Sequence, residues 1–139
     1  MNKLEESMIE ELRKAGHTVV VADKETDYSG IDCFINSQAV DLKAQTTNGN
    51  YDTVLLSLRH TDCYGNWILP GYLHSKNIQV WFNSPEAFYI LEDPHTVEQI
   101  ATRFIFKSGD TDMFGNDHIL AVIPKSKLTK KYKRRIISK

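Results

Sequence analysis

Residues 30–45 read Gly-Ile-Asp-Cys-Phe-Ile-Asn-Ser-Gln-Ala-Val-Asp-Leu-Lys-Ala-Gln, and the fold turns on this stretch. Ile31, Cys33 and Ile35 alternate with Asp32, Phe34 and Asn36, the period of two that marks a strand. Asn36-Ser37 is turn chemistry. From Ala39 the alternation resumes, with Val40, Leu42 and Ala44 on one face and Asp41, Lys43 and Gln45 on the other. An antiparallel hairpin across that turn brings Asp32 close to Asp41, with Lys43 two residues further along the same face.

Two carboxylates and a lysine converging on a sheet face cost desolvation energy unless something pairs or uses them. A divalent cation between the carboxylates is the economical answer. Hard cations such as magnesium take oxygen ligands, and one or two carboxylates plus phosphate oxygens suit them.

Upstream, Asn2 or Lys3 to Ala15 reads as a helix. Leu4, Met8, Leu12 and Ala15 form its apolar stripe, Ile9 flanks it, and Gly16 caps its C-terminus. Glu5, Glu6, Glu10 and Glu11 fall early, where the helix dipole favours negative charge. Glu5 precedes Ile9 by four residues and Leu12 by seven, so it shares their inward-leaning face.

At these residues the chain resembles the PD-(D/E)xK nuclease superfamily, which includes restriction endonucleases, junction resolvases and many phage nucleases. Asp32, a short turn and Asp41-Leu42-Lys43 follow its core motif, with Asp41 at the position that holds Glu or Asp. Gly30-Ile31 ahead of the first Asp and Gln45 behind the Lys add context, and the resemblance covers roughly residues 1–60. It implies a restriction-endonuclease-like core, a central mixed β-sheet flanked by helices, of α/β or α+β class. It also implies magnesium, replaceable by manganese, held by Asp32, Asp41 and the Leu42 carbonyl. Lys43 then orients or deprotonates the attacking water, and Gln45 positions water or phosphate. Superfamily members often place a Glu where Glu5 stands, as a further acidic ligand or to hold water; Glu6 or Glu10 takes the role if the helix is phased differently, and Glu5 is otherwise an ordinary surface glutamate.

His17 to Ala22 reads as the first strand and Asp23 to Gly30 as a polar loop, whose Asp27 suits a helper at the site and, more simply, a solvated loop acid. After a loop over 46–52, Thr53 to Leu58 reads as a strand buried on both faces, which completes the strand order of the superfamily core. Residues 59–76 have the composition of a substrate-contacting loop. Arg59, Tyr64 and Trp67 suit contact with a nucleic-acid backbone or an exposed base, and equally suit packing under a long loop. His60, Cys63 and His74 lack a fourth ligand at zinc spacing. Ile78 to Phe82 and Ala87 to Leu91 form a second hairpin. Thr96 to Arg103 reads as a helix with Val97, Ile100, Ala101 and Phe104 on its apolar side. Residues 108–117 read as a loop, whose Asp110-x-Asp112 fails as a calcium site because Phe114 stands where an oxygen ligand belongs. His118 to Ile123 is a last strand. Lys125 to Lys139 reads as a basic helix or tail, with Leu128, Tyr132 and Ile136 at spacing four.

A chain of 139 residues fits one domain, spanning 1–139. Two cysteines give no disulfide framework and point to a reducing cytoplasm; no membrane span and no secretory signal are read. The net charge of −1 hides an asymmetry, because residues 125–139 hold eight of the 17 Lys and Arg and no acid. The remainder carries a balance of −9. A basic tail can hold phosphates while a metal neutralises its own carboxylates. The expectation is therefore a magnesium-dependent endonuclease acting on duplex or branched DNA, structure-selective in the manner of a resolvase, with a homodimer left open. The alternative is a catalytically silent nuclease-fold module that binds nucleic acid or a protein partner, or a small inhibitor whose acidic body mimics nucleic acid. No Ser/His/Asp set, Cys/His pair or Gly-rich phosphate loop has local support.

Overall fold

Asn2 starts the first helix, α1 (Lys3–Lys14), by accepting the Glu5 N–H on its side-chain oxygen at 2.9 Å. The computed structural model describes residues 1–28, 30–44, 53–100, 105–111 and 117–139, and of residues 27, 28, 105–111, 117 and 118 the backbone alone. Helix α1 buries Met8, Ile9 and Leu12, whereas Leu4 and Ala15 are exposed. The apolar stripe is thus rotated from the expected one toward Ile9, and Glu5 is half-buried at its edge. Gly16 takes φ +95° just past the helix, the conformation that favours glycine.

Strand β1 (Val19–Val21) follows, then a short helix α2 (Lys24–Tyr28) where a loop was expected. The Asp23 carboxylate nucleates it by accepting the Thr26 N–H at 2.8 Å. The hairpin β2 (Cys33–Ile35) and β3 (Gln38–Lys43) forms as the sequence predicts, with Cys33 opposite Val40 and Ile35 opposite Gln38. Asn36 and Ser37 both have positive φ, the two-residue turn whose twist matches paired strands. The Asn36 side chain also accepts the Thr18 N–H at 2.9 Å, which ties the turn to the start of β1.

The next strand departs from expectation. β4 (Thr53–Thr61) is longer than read, buries alternate residues only, and leaves the motif sheet altogether. It is central in a four-stranded sheet with β5 (Trp67–Ile68), β8 (Ile105–Thr111) and β9 (Asp117–Pro124), in the order β5-β4-β9-β8. Much of the segment read as a substrate-contacting loop is therefore a β4–β5 hairpin, followed by the short helix α3 (Gly71–His74). Of the stretch read as a loop over 108–117, residues 108–111 belong to strand β8 and 117 opens β9; pairing between the two supplies the order that the Ser, Gly and Asp content argued against. Residues Asp112 and Phe114 lie outside the described residues.

β6 (Gln79–Asn83) and β7 (Ala87–Leu91) make the second predicted hairpin. β6 runs parallel to β3, with Asp41 opposite Val80 and Lys43 opposite Phe82, so it is β6 that neighbours the motif strand. Helix α4 (His95–Ile100) buries Val97; Ala101 and Phe104 lie outside the described residues. The C-terminal segment is not a helix. After two 3-10 turns (Lys125–Lys127 and Lys130–Tyr132), Lys133 adopts φ +52° and β10 (Arg134–Ser138) pairs antiparallel with β7. The free edge of β7 and the β-branched pair Ile136-Ile137 override the spacing-four pattern, although Leu128 and Tyr132 do dock, fully buried.

The result is a mixed α/β architecture around a mixed six-stranded sheet, in the order β1-β2-β3-β6-β7-β10. Helix α1 covers one face, with Met8, Ile9 and Leu12 against Cys33, Ile35, Val40, Leu42 and Trp81. The opposite face is covered by the four-stranded sheet with α3 and α4, through Leu56, Ile123, Tyr72 and Val97 against Val80 and Phe82. The expected mixed central sheet is present with few helices beside it, and a second sheet provides most of one layer. Among the described residues no helix is long and apolar enough to cross a membrane.

Candidate active site

At the start of β2 the regular ladder gives way, and Asp32 makes the difference. Its N–H donates to the Val40 carbonyl at 2.9 Å, and its carboxylate accepts the Leu42 N–H at 2.7 Å. Asp32 thus grips the backbone on both sides of Asp41. Asp41 in turn is paired with Lys43, Nζ to Oδ1 at 3.0 Å, on the sheet face opposite Val40 and Leu42. The Asp41 side chain is 14% exposed and that of Lys43 34%, so the lysine is the solvent-facing edge of the pair.

Helix α3 completes this cluster. Gly30 has φ +90°, and a Cβ there would lie 2.6 Å from the Cα of Gly71, so the backbone leading into β2 packs directly on the first turn of α3. The next residue, Tyr72, is buried; its hydroxyl donates to the Ser57 carbonyl of β4 at 2.6 Å, and its ring lies 5.1 Å below the Lys43 ammonium. Tyr72 was not singled out from the sequence. Only a tertiary contact joins it to the motif, and a buried Tyr after Pro70-Gly71 carries no local sign of that partnership.

Electrostatics bind these groups into one unit. Burial is the main force raising the Asp32 carboxyl, followed by the Asp41 charge, against the opposing Leu42 hydrogen bond; with a smaller push from Glu5 it is held at about 7. For Lys43, burial opposes the charge but is outweighed by Asp41, aided by Tyr72 and Asp32, so the ammonium is held above the ordinary lysine range. The Cys33 thiol is pushed up to about 12 by burial and then by the Asp32, Asp41 and Glu5 charges, and is inert at neutral pH.

The sequence-predicted residues are therefore brought together unequally. Asp32, Asp41 and Lys43 converge; Leu42 enters through its N–H to Asp32. Glu5 sits on the helix that covers the other face of the sheet and acts on Asp32 as a charge. Gln45 lies outside the described residues. Among the described residues no three His, Cys, Asp or Glu side chains are grouped to hold a metal ion. The two carboxylates on their own still fit a hard cation: burial, and after it the Asp41 charge, raises Asp32, a cation held by both offsets these, and magnesium commonly needs no more protein ligands than these. Arg59 is committed elsewhere, paired with Glu98 of α4 and donating to the Leu58 carbonyl. Tyr64 and Trp67 are exposed on the β4–β5 hairpin, whose turn is pinned by the Asp62 carboxylate on the Tyr64 and Asn66 N–H groups, each at 2.9 Å; they do not pack beneath a loop.

Comparison of the chain with models of known protein families, with curated proteins and with solved structures gives no match.

Proposed function

We propose that this protein is a metal-dependent nuclease that hydrolyses phosphodiester bonds of DNA, with a restriction-endonuclease-like core. The observation that carries this reading is Asp32 clamped around Asp41, with Lys43 on the same face and partly open to solvent. A purely structural role asks nothing of two adjacent buried carboxylates, whose repulsion opposes folding unless a ligand uses it.

Asp32 and Asp41 would hold magnesium, or manganese in its place, with the Leu42 carbonyl and water as further ligands. The cation would supply a water of lowered pKa and a polarised phosphate oxygen. Lys43, held as the ammonium beside Asp41, donates a hydrogen bond to the attacking water or to a phosphate oxygen and offsets the charge that builds there. Tyr72 holds the ammonium from beneath and limits the directions it can point. The negative charge of Glu5, which Asp32 feels, favours cation binding at that carboxyl.

The test is cleavage of labelled linear, branched and single-stranded DNA in magnesium, in EDTA, and with Asp41→Ala. Metal-dependent cutting by the wild type, reduced at least about 100-fold in the variant, is the expected result. DNA that stays intact in magnesium and manganese rejects the enzyme reading and leaves the silent binding module.

A further inference from the structure

The eight basic residues of the C-terminal segment are not equivalent, and the structure sorts them. Lys125, Lys133, Arg135 and Lys139 are tied to Glu86, Asp93, Glu92 and Glu11, at 3.0, 3.3, 3.6 and 2.5 Å. Those bonds fasten the segment to β7, to the turn before α4 and to α1. Arg134 is half-buried and acts on Tyr89. The remaining three, Lys127, Lys130 and Lys131, are exposed on the two 3-10 turns, and among the described residues none has an acidic partner within ion-pair distance.

These three cations do not sit on a loose tail. Leu128 and Tyr132, interleaved with them, are fully buried in the same apolar cluster that contains Tyr72 beneath Lys43. The Lys131 ammonium lies 5.6 Å from the Tyr132 ring, which braces it further. The ridge is thus held in fixed relation to the candidate active site, on a body whose other 124 residues are acidic in balance. No exposed large apolar side chain lies within residues 125–133 to anchor it in a lipid surface.

We infer that Lys127, Lys130 and Lys131 form a built binding ridge for the phosphate backbone of double-stranded nucleic acid, separate from the catalytic carboxylates. Its charge matches a polyanion, and an acidic body needs such a ridge to bring one close. The identification of the polyanion as DNA rests on the nuclease reading, but binding can be measured where nothing is cut.

The experiment is fluorescence anisotropy of a labelled DNA duplex, titrated with the full chain in EDTA and separately in calcium, over a series of salt concentrations. Each phosphate contact contributes about 0.9 to the slope of log affinity against log salt, so K127Q/K130Q/K131Q lowers that slope by about 2.7 and weakens binding at low salt by about tenfold or more. Lys133→Gln, from the fastened set, leaves the slope unchanged. An unchanged slope in the triple variant overturns the proposal, as does absence of duplex binding by the wild type at low salt in both buffers. Lysine-dependent binding to phosphatidylserine vesicles without duplex binding assigns the ridge to membranes and overturns it equally. Failure of the nuclease reading would show instead as DNA that is bound through the ridge and never cut.

Discussion

Asp32 does more with one side chain than any other residue of the site. Its carboxylate replaces a backbone acceptor for Leu42, stands beside Asp41, and feels the charge of Glu5 on α1. Such a group carries its own signature in stability. Its carboxyl is held at about 7 in the folded chain against 3.8 in the unfolded one, so between those values the native state binds the extra proton. Stability in EDTA therefore falls as pH rises from about 4 to about 7 and levels off above, by an amount on the order of a few kcal/mol. Asp62 and Glu86, whose carboxyls are lowered by hydrogen bonds, work in the opposite sense, and only below their ordinary range. Urea denaturation of wild type and Asp32→Asn across pH 5 to 7 isolates this effect: wild type should lose stability relative to Asp32→Asn as pH rises. A difference that stays constant would mean that Asp32 titrates as an ordinary carboxyl.

At the scale of elements, the contact between Gly30 and Gly71 decides whether the motif hairpin and α3 can be neighbours. A methyl group at Gly30 would meet the Gly71 Cα at 2.6 Å, and the positive φ adds strain that other residues resist. Gly30→Ala is expected to lower unfolding free energy by about 2 kcal/mol or more. It should also reduce whatever activity the site has by more than the loss of folded protein explains, because Tyr72 would move from under Lys43. Chemical denaturation and activity measured on the folded fraction check both parts. A variant as stable as wild type would show that α3 can shift without cost.

For the molecule as a whole, the C-terminal strand closes the sheet and reaches back to the first helix. β10 covers the edge of β7 along its full length, Ile137 packs on the α1 side of the sheet, and Lys139 pairs with Glu11 and Asn83. Removing residues 134–139 should expose the β7 edge, lower the thermal midpoint by 10 °C or so, roughly the effect of losing a few kcal/mol in a domain of this size, and promote association through the free strand. Scanning calorimetry and light scattering of the truncated chain provide the check; a midpoint within a degree or two of the full chain would make β10 an accessory.

The local elements with their own periodicity were legible from the sequence: α1, the β2–β3 hairpin with its Asn36-Ser37 turn, and the β6–β7 hairpin. Each is specified by neighbours a few residues apart, and so was the convergence of Asp32, Asp41 and Lys43. What the tertiary structure alone decided is everything that depends on a distant partner. β4 reads as a strand in isolation, but only its pairing with β9 removes it from the motif sheet. β8 is ordered by β9 against its own composition, and a segment with helical spacing becomes β10 because β7 offers an unpaired edge. Tyr72 joins the site through a glycine-to-glycine contact 41 residues apart in sequence, and the basic segment separates into fastened and available lysines only once Glu86, Asp93, Glu92 and Glu11 are in place. Sequence patterns encode what a residue does to its near neighbours; which surfaces then meet depends on burial and hydrogen bonding summed over the whole chain.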